Sequence, residues 1–181
     1  GYRCGCNFLK RQKLLLCKCR DLTSSQTHLT VLMQRFSARV PFANWRPSLV
    51  PAVAAGVYAI WEGDILVYCG MSGRGFNAEV AKTKIKHGLV TRLNSHALGR
   101  LSGDQFCVYV ANRLVIPQLD GSQMKAFATG ALTLDNLTKK YIREKLSFQF
   151  VTTPTGKDAY ALEAECRKGA VFGISPLLNP L

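Results

Sequence analysis

Apolar and polar positions along this chain fall into short blocks with two different periods. Val57-Tyr58-Ala59-Ile60-Trp61 is a run of β-branched and aromatic residues, Glu62-Gly63-Asp64 breaks it, and Ile65-Leu66-Val67-Tyr68 is a second run of the same kind. Two strand-forming runs across a short polar turn predict a β-hairpin, with Tyr58 and Tyr68 at similar distances from the turn on opposite strands. Gly56 and Gly70 stand at the outer ends of these runs, where the chain is expected to leave the sheet or let a ligand approach. Over 89–99 the period changes. Leu89, Leu93 and Ala97 recur at helical spacing and predict a helix with one buried face, while Arg92 and His96, four apart, share a neighbouring face. Alternation returns over 105–110 (Phe106, Val108, Val110) and over 147–152 (Phe148, Phe150), predicting a third and a fourth strand. Helical stretches are expected at 122–129 and 134–145, separated by Gly130, and again at 157–168 after Pro154 and Gly156. The pattern predicts an α+β domain: a small, mostly antiparallel β-sheet flanked by helices, with a helical insertion over 114–146.

The helix at 157–168 carries two carboxylates, Glu163 and Glu165. Residues two apart on a helix diverge by roughly 200°, so the two cannot point the same way. Leu162 precedes Glu163 and Cys166 follows three positions later, so Glu163 borders the apolar face. Glu165 follows Ala164 and has Lys168 at the same later offset, which directs it to solvent. Glu163 is the better candidate for an inward acid, and Glu165 stays open as the alternative.

In this order the residues resemble the GIY-YIG nuclease family. Gly56-Val57-Tyr58 stands for the first half-motif and Tyr68-Cys69-Gly70 for the second. The helix at 89–99 brings Arg92 to the arginine position, and Ala161-Leu162-Glu163 followed by Pro176-Leu177-Leu178-Asn179 is similar to the acidic helix and its asparagine ending. Cys69 replaces the usual isoleucine, and extra residues, Gly169 and Gly173 among them, separate the acid from Asn179. The resemblance implies a nuclease domain over 55–181 and a metal-dependent endonuclease that hydrolyses DNA phosphodiester bonds. It implies Tyr58 as general base or water-positioning residue, and Tyr68 as a phenol that either contacts the phosphate or supports the residues that do. Arg92 then stabilises the transition state, and Glu163 binds a single Mg²⁺ or Mn²⁺. These residue types suit such roles. A guanidinium stays charged and its fork holds two phosphate oxygens, and a hard divalent cation takes oxygen ligands. With a free pKa of about 10, Tyr58 must either be lowered by nearby cations or act as an orienting donor. Arg92 taken alone reads equally as a surface ion pair, and His96 either assists proton transfer or serves only the structure. The alternative function is a non-catalytic nucleic-acid-binding module that retains the fold.

Length and charge narrow the partner. The 181 residues suffice for one domain with its own core. Lysine and arginine total 24 against 11 acidic residues, a net charge of +13 with a pI near 9.7. That balance favours a polyanion, DNA first with RNA also open. Candidate contacts are Arg74, Lys82, Lys84, Lys86, Lys139, Lys140 and Arg143. Arg74 lies in a glycine-rich loop, 70–75, that lacks the Gly-Lys-Ser/Thr ending of a phosphate-binding P-loop. The lysine clusters read equally as solvated surface. No apolar run reaches the ~18 residues of a membrane span.

Residues 1–32 differ from the rest. They hold the basic residues Arg3, Lys10, Arg11, Lys13, Lys18 and Arg20 against a single acid, Asp21. Cys4 and Cys6, and likewise Cys17 and Cys19, are separated by one residue, a poor match to zinc-site spacing. A basic arm for phosphates is a second reading. A third is a segment that precedes a start at Met33. Leu14-Leu15-Leu16 is too short for a secretory core. Residues 33–54 read as a proline-containing lead-in loop with Trp45. With no leader and with Cys69, Cys107 and Cys166 scattered through the domain, a reducing cytoplasm is the expected compartment.

Overall fold

The computed structural model describes residues 36–76 and 87–179. The segment 1–32, with its zinc and basic-arm readings, and Lys82, Lys84 and Lys86 lie outside the described residues. The strands are β1 (Val40–Pro41), β2 (Val53–Glu62), β3 (Ile65–Ser72), β4 (His87–Gly88) and β5 (Leu146–Thr153). The helices are α1 (Leu89–Leu98), α2 (Gln105–Val110), α3 (Gly121–Ala128), α4 (Leu134–Lys145) and α5 (Gly156–Arg167). The sheet runs β1-β5-β2-β3 with every neighbour antiparallel, and β4 pairs in parallel with the start of β2. The class is α+β, as the pattern predicts. Among the described residues no helix is long and apolar enough to cross a membrane.

β2 lies inside the sheet and is buried on both faces, which is why its sequence reads as an unbroken apolar run rather than an alternating one. Ala55, Val57, Ala59 and Trp61 join Leu66, Cys69 and Val151 beneath α5, whose Ala159 and Cys166 close that core. Tyr58 and Ile60 face the other way, into a core built with Leu89 and Leu93 of α1, Phe106 of α2 and Ile142 of α4. Each such large apolar side chain, fully buried, contributes about 1.5–3 kcal/mol.

The hairpin contains one irregularity that decides where Tyr68 points. Ile60 pairs with Tyr68 but Trp61 pairs with Leu66, so Val67 is an extra residue in β3. Residues directly opposite in an antiparallel pair share a face, and a one-residue slip moves a side chain to the other face. Without the bulge Tyr68 would stand opposite Ala59 and face α5. With it, Tyr58 and Tyr68 lie on the same side, their ring centroids 6.4 Å apart.

Five sequence expectations need correction. Residues 105–110 form helix α2, not a strand. The buried positions are Phe106, Cys107, Val110 and Ala111, a helical spacing that the alternation of Phe106, Val108 and Val110 conceals. Asp104 caps this helix by accepting from the Phe106 N–H at 3.1 Å. The helical path then continues through Ala111–Val115 and Ile116–Gln118, so it begins before the expected insertion. Residues 33–54 are not simply a loop: they include β1, the helical turns Phe42–Asn44 and Pro47–Leu49, and the start of β2. Residues 70–72 of the glycine-rich stretch still belong to β3. Gly56 and Gly70 sit inside β2 and β3 rather than at their ends, where neighbouring atoms leave no room for a Cβ.

The outer edge of β3 is covered by the segment 177–179. The backbone N–H groups of Leu177 and Leu178 donate to Leu66 O at 3.0 Å and Val67 O at 2.9 Å. The Asn179 side chain accepts from Cys69 N and donates to Cys69 O, both at 2.8 Å. A side-chain amide thus pairs with the strand as another backbone would, blunting an exposed edge.

Candidate active site

Tyr58 is only 2% exposed, and its position is set by the residue across from it. Gly70 is its partner in β3, and a Cβ there would collide with the Tyr58 phenol and press on the Tyr68 ring. The phenol lies over the glycine and reaches helix α1, where its Oη is 2.8 Å from His96 Nε2. His96, 1% exposed, has its other ring nitrogen 2.6 Å from Asp104 Oδ2. Ser95 Oγ donates to the same Asp104 oxygen at 2.8 Å. Phe106 packs against both aromatic partners, 4.6 Å from the His96 ring and 5.2 Å from Tyr68. Tyr58, His96 and Asp104 therefore form a connected, buried row.

Burial sets the protonation states along this row. It pushes the Tyr58 phenol well above its usual 10, with Tyr68 adding to the rise and Arg92 opposing it. Tyr68 is pushed up to about 12, first by burial and then by the carboxylates of Glu163 and Asp104. The His96 pKa is lowered because burial outweighs the bond to Asp104. For Asp104 burial acts upward, but the hydrogen bonds from His96 and Ser95 prevail and hold it below the usual carboxylate value. At neutral pH the row is a neutral phenol, a neutral imidazole and a carboxylate. Of the two roles open to Tyr58, the raised pKa favours the orienting donor, since desolvation outweighs the lowering by Arg92.

The row opens on a cleft of about 570 Å³ bordered by Tyr58, Tyr68, Arg74, Arg92, His96 and Glu163. Arg92 is exposed at its side, one helical turn before His96. Glu163 comes from α5. Its side chain is 12% exposed and pairs with Arg167 at 3.5 Å. Burial raises its pKa, and Arg167 and Arg74 partly offset the rise. Glu165, 48% exposed, bonds Lys168 at 3.1 Å instead, so the inward acid is Glu163. The structure thus gathers Tyr58, Tyr68, Arg92, His96, Glu163 and Arg74 into one place. It does not bring Lys139, Lys140 or Arg143 there. They lie on α4, where Lys140 lines a separate hollow of about 180 Å³ and Lys139 backs onto Gly99.

Sequence reasoning missed Asp104, together with Tyr160 and Arg167 at the cleft wall. Asp104 carries a signal: a Ser-Gly-Asp stretch before an apolar run marks a helix N-cap, but the alternation of that run predicts a strand and hides it. Among the described residues one group of three potential metal ligands comes together, His96, Asp104 and Cys107, with donor atoms within 4.8 Å of one another. These donors already serve one another, since the Cys107 thiol donates to His96 O at 3.8 Å and His96 bonds Asp104. Compared with protein-family models, with curated proteins and with solved structures, the chain finds no match.

Proposed function

We propose that the protein is a metal-dependent endonuclease of the GIY-YIG type that hydrolyses phosphodiester bonds in DNA. One observation carries this reading: Tyr58, Tyr68, Arg92, His96 and Glu163, supplied by two strands and two helices, border a single open cleft. Phosphodiester hydrolysis needs a water made nucleophilic, a fixed positive charge on the phosphate, and help for the leaving oxygen. Arg92 is exposed to the cleft and free to fork onto two phosphate oxygens. Tyr68, a neutral phenol at the pH of reaction, donates to a third. Tyr58 holds the attacking water by its outward lone pair while its proton stays directed at His96.

In this reading one Mg²⁺ or Mn²⁺ would be held by Glu163. Its carboxylate, on a side chain 12% exposed, borders the cleft beside Arg167 at 3.5 Å, and Mg²⁺ commonly takes one or two carboxylates with water and phosphate oxygens completing its shell. Such an ion, when bound, polarises the phosphoryl group and stabilises the leaving oxygen. Arg74, also at the cleft, would hold a neighbouring phosphate. Lys139, Lys140 and Arg143 would widen contact with the polyanion away from the cut. A reducing cytoplasm suits the buried free thiols of Cys69, Cys107 and Cys166.

The test is nicking of plasmid and branched DNA, with RNA alongside, in the presence and absence of Mg²⁺. Tyr58→Phe, Arg92→Ala and Glu163→Gln should each lower cleavage by about 100-fold or more, with DNA retention largely kept. Salt-dependent DNA binding without any cleavage would replace the proposal by a non-catalytic binding module. Cleavage that survives all three substitutions would sink the assignment of roles.

A further inference from the structure

We infer that Asp104 is a positioning residue that holds His96 in the Nδ1–H tautomer, making His96 Nε2, rather than the Tyr58 phenol, the final acceptor of the proton taken from the attacking water. The inference rests on the proposed hydrolysis. It starts from the donors around Asp104. Oδ2 receives Ser95 Oγ–H at 2.8 Å and lies 2.6 Å from His96 Nδ1, while Oδ1 receives the Phe106 N–H at 3.1 Å. A carboxylate surrounded in this way has acceptor work only, so the hydrogen between it and the ring belongs to Nδ1. In a neutral imidazole the other nitrogen then carries a lone pair. That lone pair faces Tyr58 Oη at 2.8 Å, and the phenol must be the donor in that bond.

This direction changes what Tyr58 can do. A lone phenolate at Tyr58 would be created in a buried place beside Tyr68, with the negative charges of Asp104 and Glu163 acting against it. Moving its proton on to His96 as the water proton arrives avoids that charge. In the balanced step, a water O–H bond breaks and its proton joins Tyr58 Oη, while the Tyr58 Oη–H bond breaks and that proton joins His96 Nε2. The hydroxide oxygen forms its bond to phosphorus as the bond to the leaving oxygen breaks, and that oxygen keeps the electron pair and takes a proton from solvent. Tyr58 ends unchanged, and the imidazolium formed on His96 faces the Asp104 carboxylate. The charged or titratable groups around His96 are Tyr58 from β2, Tyr68 from β3, Arg92 from α1, and Asp104 and Cys107 from the start of α2. Asp104 is the one among them that both bonds the ring and carries the opposite charge.

Asp104→Asn tests this, because asparagine keeps the size and the helix cap while placing an NH₂ where Oδ2 stood. That group donates to His96 Nδ1, drives the ring proton to Nε2 and removes the acceptor from Tyr58. The ring of His96 is read by ¹⁵N NMR on the full chain, which has only 3 histidines to assign, and cleavage is measured in parallel. The expected result is Nδ1–H in the native protein and Nε2–H in Asp104→Asn, with kcat lowered by about 100-fold or more and KM for DNA within about twofold. Should Asp104→Asn not fold, Asp104→Ser keeps a capping oxygen without the anion, and mixed tautomers with the same kcat loss are expected. A native ring protonated at Nε2, or a variant with the tautomer switched that still cuts at the native rate, would overturn the inference. A native protein that cuts nothing would overturn the nuclease reading and the proton transfer with it, while the tautomer measurement would still decide whether Asp104 sets the ring.

Discussion

Gly70 shows how a residue without a side chain can define a site. Tyr58 occupies the space that any Cβ at Gly70 would fill, so the phenol and the glycine are specified together across the hairpin. Gly70→Ala should displace the Tyr58 ring and break its 2.8 Å bond to His96. The expected cost is about 1–3 kcal/mol of stability, typical of overpacking, measured by urea unfolding, with a loss of cleavage well beyond that of a control of equal stability. A folded Gly70→Ala protein with native cleavage would refute the coupling. At this scale the tyrosines, the arginine and the inward glutamate were legible because each carries a functional group at a readable spacing. Asp104 was not, because its role depends on a ring nitrogen brought to it by folding.

Between elements, the decisive feature is the packing of β3 on α5. Cys69 stands where the family resemblance led to isoleucine; it shares one buried core with Cys166 of α5, and Cys166 together with burial pushes the Cys69 thiol strongly up. Both cysteines are fully buried in the same core. Cys69→Ile alone should therefore overpack and cost about 1–3 kcal/mol. Cys166→Ala made in the same chain should recover part of that loss, a non-additivity that denaturant unfolding of the two single variants and the double would reveal. Strict additivity would mean that the two side chains do not share the space. The hairpin, the helices α1, α3, α4 and α5, and strand β5 could be read from periodicity. Helix α2 was not legible, since Phe106, Val108 and Val110 satisfy a strand period while the burial of Cys107 and Ala111 that marks the helix appears only after packing. The bulge at Val67 was equally hidden, because an apolar run buried on both faces carries no mark of register.

For the whole molecule, the buried row at the site makes stability depend on acidity. The unfolded chain takes up a proton on His96 near pH 6.5, whereas the folded chain does so only at lower pH because the ring is buried. Lowering the pH through that window therefore favours unfolding, by up to about 1.4 kcal/mol per pH unit for this group. Asp104 acts lower down: its folded pKa is depressed, so the stability it contributes is present above its unfolded value and lost as pH falls through the folded one. The melting temperature should fall between about pH 7 and about pH 5, and His96→Gln should flatten that slope while lowering the value at neutral pH. An unchanged slope in His96→Gln would assign the acid sensitivity elsewhere.

The hairpin that carries Tyr58, Tyr68 and Gly70 is complete by Ser72, yet its outer strand is closed by Leu177, Leu178 and Asn179. During synthesis both tyrosines and Gly70 emerge long before the residues that fasten the edge of their hairpin. A chain growing from the ribosome would hold both tyrosines with an open strand beside them until Asn179 is made. On this geometry the cleft is finished only once Asn179 is made, and loss of that short closing segment would leave the edge of β3 open without touching any residue of the cleft.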